Sequence, residues 1–289
     1  MSQNGETKGT VRWSASTHQG RVRRRNEDAF LALRLDSSEL SYLGKLGTSP
    51  MALFEFIFAV SDGMGGENAG KFASQIILQS LTTILSRDHH HARSSTGHGR
   101  PESLERCFQT IHEHARQVSL PYEECRGMGA TLSVTWFHDR LLHLAHVGDS
   151  RVYSLPANGG IQQLTEDHTV PGRLFREGKL SEREARDHPY RNPLERSIGS
   201  HEGRVSPQLM SLDTHPGDTF VICSDGITAG LRDQGIEQLI RQPPSYVAEL
   251  LPAQRLVREA LEASGRDNLT AVVIELGSTD DGSDQPLHR

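Results

Sequence analysis

Three apolar, strand-like runs in this chain end the same way. FEFIFAV leads into Ser61-Asp62-Gly63, LLHLAHV into Gly148-Asp149-Ser150, and TFVIC into Ser224-Asp225-Gly226. In each, an aspartate stands between small residues at the end of a buried strand, where backbone and ligand approach closely. One Asp-Gly after a strand is an ordinary turn; three in one chain point to a shared purpose. Two more acidic sites join them. Glu27-Asp28 follows the basic run Arg23-Arg24-Arg25-Asn26, and Asp267-Asn268 precedes LTAVVIEL. Carboxylates brought together repel one another and lose hydration, so clustering them calls for positive charge. A hard divalent cation with oxygen ligands and retained waters, Mg²⁺ or Mn²⁺, supplies it. Two such ions sharing a carboxylate hold a water between them and lower its pKa, giving a hydroxide for in-line attack on phosphorus. An arginine would hold the phosphate oxygens bidentately, and the run after Val22 offers candidates.

Composition frames this chemistry. The chain has 289 residues, enough for one large domain or two small ones. Apolar residues make up 35% and charged residues 24%, a soluble globular balance. With Lys plus Arg at 31 and Asp plus Glu at 37, the net charge of -6 argues against nucleic acid as a partner. Cys107, Cys125 and Cys223 are too few and too scattered for a disulfide framework or a thiolate zinc site, so a reducing cytoplasm is expected. The polar N-terminus has no apolar signal region, and the run Met51 to Val60 is too short and too interrupted by Glu55 to span a bilayer. No membrane contact is expected, and a monomer is the default.

The elements that must position the acidic residues follow from periodicity. Strands are expected at FEFIFAVSD, ATLSVTW, LLHLAHVGD, RVYSL, IQQL, DTFVICSD and LTAVVIEL. A PANGG turn between RVYSL and IQQL is expected to use the tolerance of Asn and Gly for positive φ. Apolar stripes through Ala73, Ile77, Leu81 and Leu85, and through Leu104, Cys107, Phe108, Ile111 and Ala115, predict paired helices. A third helix is expected to start at Pro252. Strands in hairpins with helices in pairs predict an α+β fold with antiparallel sheets covered by helices. Flexible tails are expected at 1–10 and 277–289, around a domain of 11–276. A mobile loop is expected at about 87–102, where His89, His90, His91 and His98 are candidate transition-metal ligands.

Together the segments VRRRNEDAF, AVSDGMGGENAG, GMGATLSV, HVGDSRVY, LTEDHTV, NPLERSIG, FVICSDGIT and GRDNLTAVV resemble the bacterial metal-dependent protein serine/threonine phosphatases, the protein phosphatase 2C family. They span residues 12 to 275 in the family's order. The resemblance implies a four-layer sandwich, two antiparallel β-sheets flanked by pairs of α-helices, with two Mn²⁺ or Mg²⁺ ions at one edge. It implies that Asp62 bridges both metals, that the Gly63 carbonyl binds one, and that Asp225 and Asp267 hold the other. Glu27 acts on the metal-bound waters or binds a metal directly. Arg23 binds phosphate, Asp149 serves a third, weaker metal, and Asn268 orients the metal-binding loop. The implied reaction is hydrolysis of phosphoserine and phosphothreonine in proteins by a metal-bridged hydroxide, opposing a serine/threonine kinase.

Four positions depart from the family or stand out. Met64 occupies the place of a histidine general acid in eukaryotic relatives. His18 stands where bacterial relatives carry Asp, and Ala229 where many carry an acidic residue. The stretch 169–199 resembles the bacterial flap, with Leu174, Arg176 and Glu177 as flap candidates. Cys223 lacks the CxxxxxR loop of cysteine phosphatases and reads as a buried strand residue. Three other readings stay open: a partner-switching phosphatase, a metal-dependent phosphodiesterase, and a catalytically silent phosphoprotein-binding module.

Overall fold

Along Glu55–Met64 the side chains alternate between two cores. Phe56, Phe58 and Val60 enter one, Ile57 and Ala59 the other. A strand buried on both faces needs a packed layer on each side. The computed structural model, which describes residues 9–36, 39–65, 69–92, 99–200 and 203–278 (88–92 as backbone only), supplies both layers.

In chain order the strands are β1 (Gly9–His18), β2 (Asp28–Leu35), β3 (Leu40–Tyr42), β4 (Leu46–Pro50), β5 (Glu55–Met64), β6 (Gly129–Ala130), β7 (Leu132–His138), β8 (Leu141–Val147), β9 (Arg151–Leu155), β10 (Gln162–Gln163), β11 (Gln208–Asp213), β12 (Thr219–Cys223) and β13 (Leu269–Ser278). The helices are α1 (Ala69–Ala92), α2 (Arg100–Ser119), α3 (Val170–Arg176), α4 (Glu182–Arg186), α5 (Asp225–Gly230), α6 (Asp233–Arg241) and α7 (Pro252–Ala263). One antiparallel sheet runs β10-β9-β12-β13-β1-β4, the other β11-β8-β7-β5-β2-β3, with β6 paired to the end of β5.

Three cores separate four layers. Between the sheets, Phe56, Phe58, Phe137, Phe220, Val272 and Ile274 interdigitate, with Phe137 edge-on to Phe220 at 5.4 Å. Ile77, Leu81, Phe108 and Ile111 seat α1 and α2 on the outer face of the β5 sheet. Ile227, Leu256 and Ala260 seat α5 and α7 against Val221 and Val273 of the other. This is the expected sandwich. Among the described residues no helix is long and apolar enough to cross a membrane.

Several local expectations meet corrections. No Gly or Pro interrupts the chain after Leu85, so α1 continues to Ala92, and α2 already begins at Arg100. The expected loop at 87–102 is therefore helical at both ends; the His89, His90, His91 and His98 cluster lies outside the described side chains. Gly9 pairs with Ser278 in the β1–β13 ladder, so each expected tail gives two residues to the sheet. Residues 156–160 turn between β9 and β10 without any positive φ; five residues are enough to reverse the chain. The two-residue turn between β7 and β8 instead forces Asp139 to φ 54°. Pro252 does start α7, where its missing N–H costs nothing.

One buried polar cluster stands out near the β8–β9 turn. The His146 and His168 rings stack at 5.0 Å. His146 Nε2 donates to the carbonyls of Gly148 and Glu166, and its Nδ1 accepts from Ser133. His168 Nδ1 accepts from the Gly148 N–H. Both rings are therefore neutral, and burial pushes the pKa of His146 down to about 4 and that of His168 to about 3. A depressed folded-state pKa means that the unfolded chain binds more protons, so this stability is present above pH 6.5 and is lost as pH falls toward 4. We expect His146 alone to withdraw roughly 3 kcal/mol over that window. Urea denaturation of wild type and His146→Gln between pH 7 and 4.5 checks this. Equal pH slopes in the two proteins would refute it.

Candidate metal centre

Antiparallel pairing brings the acidic residues to one edge. Because β2 runs against β5, the start of one lies beside the end of the other, and Asp28 is paired with Asp62. Likewise β12 ends where β13 begins, which sets Ser224-Asp225 beside Asp267-Asn268. The β8–β9 turn adds Asp149. A cleft of about 570 Å³ opens there, lined by Arg23, Glu27, Asp62, Gly63, Asp149, Asp225 and Asp267. Every residue expected at the site thus meets in one place. Arg24 and Arg25 of the same basic run also line this cleft.

The electrostatics are those of crowded carboxylates. Burial first, then Asp28, Asp225, Asp149 and Asp267, hold the Asp62 carboxyl well above the usual range. Asp149 is raised by burial and by Asp225, and Asp225 is pushed up to about 6 by burial and Asp267. The Asp62 and Asp225 carboxyls stand close enough at the cleft floor that the Asp225 charge helps to raise Asp62. Two carboxylates that close need a shared proton or a cation between them. Asp225 Oδ1 is buried without a hydrogen-bond partner. Among the described residues no three His, Cys, Asp or Glu side chains are gathered closely enough to hold a metal ion by themselves. The carboxylates ring an open cleft instead, which suits hydrated hard cations that take much of their coordination from water.

Two devices fix the geometry. Asn268 is a staple: its Oδ1 accepts from the Glu27 N–H, and its Nδ2 donates to the carbonyls of Gln19 and Arg25. The loop bearing Arg23 and Glu27 is thereby tied to Asp267, whose Oδ2 accepts from Arg23 at 2.7 Å. The second device is close backbone approach. A Cβ on Gly226 would lie 1.9 Å from the Asn268 carbonyl, and one on Gly70 would lie 2.8 Å from the Glu27 carboxyl and 2.9 Å from the Gly63 carbonyl. The Glu27 carboxyl and the Gly63 carbonyl therefore converge over one bare position at the start of α1.

Asp28, which the sequence reading names beside Glu27 without giving it a role, also belongs to the site. It is 8% exposed, accepts from Ser224 Oγ at 2.7 Å across the sandwich, and leaves its Oδ1 unpaired. Burial pushes its pKa up to about 7. Its position directly after Glu27 was the available signal. The other flagged positions resolve simply. His18 Nδ1 accepts from the Gly20 N–H in a tight turn. Burial pushes the Cys223 thiol up to about 12, so it is no nucleophile. Met64 lines the cleft, and Ala229 lies in the adjoining groove. The stretch 169–199 holds α3 and α4. Thr169 caps α3 through the Gly172 N–H, Ser181 and Glu184 form a capping box on α4, and Arg176 pairs with Glu166.

The family profile described as protein phosphatase 2C matches residues 51–264. The chain belongs to the protein phosphatase 2C family. The serine/threonine protein phosphatase PstP of Mycobacterium tuberculosis is 32% identical over 278 residues, which are 96% of this chain and 47% of that protein. The chain therefore spans about half the length of that relative. The serine/threonine phosphatase stp of Listeria monocytogenes is 32% identical over 79% of this chain and 87% of its own. A crystal structure of the mycobacterial phosphatase superposes with a TM-score of 0.73 at 30% identity, covering 93% of this chain and 99% of that one. Another, of its catalytic domain in complex with two manganese ions, has a TM-score of 0.71 at 28% identity and covers 93% and 100%.

The fit at Gly226 gives a direct check on this architecture. Gly226→Ala places a methyl group into backbone that cannot yield. We expect a loss of about 3 kcal/mol, read as a lowered melting temperature in chelator. An unchanged melting temperature would show that the Asn268 staple is not as rigid as described.

Proposed function

We propose that the chain hydrolyses phosphoserine and phosphothreonine in proteins, using two Mn²⁺ or Mg²⁺ ions and opposing a serine/threonine kinase. The observation that carries this reading is the convergence of Asp62, Asp149, Asp225 and Asp267 on one cleft walled by Arg23. Asp62, Asp225, Asp267 and the Gly63 carbonyl would hold the two cations, with Glu27 beside them and Asp149 offering a third, weaker position. The donor set fits: it is all oxygen, anionic and open to water, and it includes the unpartnered Asp225 Oδ1. When bound, the ions neutralise phosphate charge and make water more acidic.

The chain's own residues do the rest. Arg23 is held at the cleft wall by Asp267, and its planar fork of donors matches phosphate oxygens. Glu27, its pKa raised chiefly by burial, is suited to take up a proton near the reacting water. Met64 has no proton to give, so protonation of the leaving oxygen falls to water or to Glu27. The phosphatase names of the mycobacterial and listerial relatives support this reading, as does the manganese-bound neighbour. Arg23, Asp62, Asp225 and Asp267 all stand at the cleft, and no observation favours the silent binding module. We also infer a cytoplasmic monomer, and the three free cysteines suit a reducing compartment.

Phosphate release from a phosphothreonine peptide tests the proposal. We expect release with Mn²⁺, none in chelator, and a fall of about 100-fold or more in Asp225→Asn. Mn²⁺ should raise the melting temperature of wild type and not of that variant. Release that persists in chelator would overturn the reading.

A second variant separates position from folding. Gly70→Ala puts a methyl group against Glu27 and the Gly63 carbonyl, while alanine suits a helix better by about 1 kcal/mol. We expect phosphate release to drop about tenfold with no fall in melting temperature. A parallel loss of both would remove the positioning role.

A further inference from the structure

A second groove, of about 1050 Å³, leads out of the cleft and shares Arg23, Asp149, Asp225 and Asp267 with it. Its walls are the α3–α4 segment with the residues after it on one side, and α5 with the residues after α7 on the other. Helix α5 begins at Asp225, beside the cleft, and runs outward. At its far end Arg186 of α4 donates to the carbonyls of Thr228 and Leu231. Helix α4 therefore closes the outer half, and the groove's unpaired carboxylates, Glu182 and Asp187, belong to that end.

The inner half carries two arginines besides Arg23. Arg191 and Arg266 line the groove, and each is next in sequence to a residue of the inner cleft, Asn192 and Asp267. Both are exposed, and among the described residues neither is engaged in an ion pair or side-chain hydrogen bond. Other charges along the groove are already matched, Arg151 with Asp167 and Arg176 with Glu166. Arg191 and Arg266, together with Arg23, place three guanidinium groups at the rim of the acidic cleft, two of them with donors unmatched by any carboxylate among the described residues.

We propose that Arg191 and Arg266 form a subsite for a second anionic group of the substrate, a carboxylate or another phosphate close in sequence to the phosphorylated residue. The proposal rests on the phosphatase reading for what the neighbouring cleft does, but its binding claim stands separately. Guanidinium groups hold either anion through paired donors. At solvent-exposed positions each contact is worth about threefold to fivefold in affinity. Together the pair sets a preference of about tenfold for acidic over neutral neighbours. Added salt shrinks that preference, because both groups are exposed.

The test uses phosphothreonine peptides that differ only in their flanks: glutamine, glutamate, lysine, or a second phosphothreonine. Two quantities are measured with Mn²⁺ present: kcat/KM for each peptide, and Kd for the same peptides made with a non-hydrolysable phosphonate. We expect the glutamate and doubly phosphorylated peptides to exceed the glutamine peptide about tenfold in both, and the lysine peptide to fall below it. In the Arg191→Gln/Arg266→Gln double variant the ratio should approach one. Because the readout is a ratio within each protein, a general loss of activity does not mimic it. A gain with only one of the two acidic peptides identifies which anion the subsite takes. Equal values across flanks in wild type, or a ratio that survives the double substitution, would overturn the subsite. Acid-selective phosphonate binding with no hydrolysis of any peptide would instead overturn the phosphatase reading and leave the subsite standing.

Discussion

Mutual repulsion among buried carboxylates is the constraint around which this molecule is arranged. Burial first, and then the charges of neighbouring carboxylates, push Asp28, Asp62, Asp149 and Asp225 above the usual range, at a cost that no isolated loop could sustain. Left to relax, flexible segments carrying these groups would move apart. The fold denies them that freedom by placing them at the ends of strands buried on both faces. The aromatic core between the sheets, from Phe56 to Phe220, is what makes those ends rigid.

Antiparallel pairing is the economical way to gather such groups. Each hairpin or ladder returns the chain to the edge it left, so pairs of chain segments distant in sequence deliver residues to a common rim. The two sheets are then joined at that rim by polar contacts as well as apolar ones. Ser224 donates across the sandwich to Asp28, and Thr131 Oγ1 is hydrogen-bonded to Ser150 Oγ in the turn that leads into β9 of the other sheet. These contacts lie behind the acidic floor and leave its outward oxygens free. The same rim carries three arginines, Arg23, Arg191 and Arg266, around the acidic floor.

Much of this arrangement was legible in the residues alone, and the gaps have physical causes. The strand-end Asp triplets, the two helix stripes and the Pro252 start follow from short-range chemistry, and all appear in the structure. The missed strands are a different kind. β1 reads GTVRWSASTH, and its Ser and Thr side chains hide a central position that only ladders to β13 and β4 reveal. β11 reads QLMSLD and alternates at an edge, where one half-exposed face weakens the pattern. The role of Asp28 escaped for a related reason. Nothing in NED distinguishes a carboxylate that faces the cleft from one that spans two sheets. The same limit hid the groove, since Arg191 and Arg266 become neighbours of one site only through the tertiary fold.

The Asn268 staple has a consequence for how the protein comes into being. Its amide joins Glu27, Gln19 and Arg25 to β13, closing a separation of 241 residues or more. A chain emerging from the ribosome carries its first acidic residues long before its last. Until residue 268 is out, the loop that bears Arg23 and Glu27 has no anchor, and β1 has no β13 to pair with. The acidic rim is therefore a product of completed synthesis, and a stalled or prematurely ended chain is inert by construction.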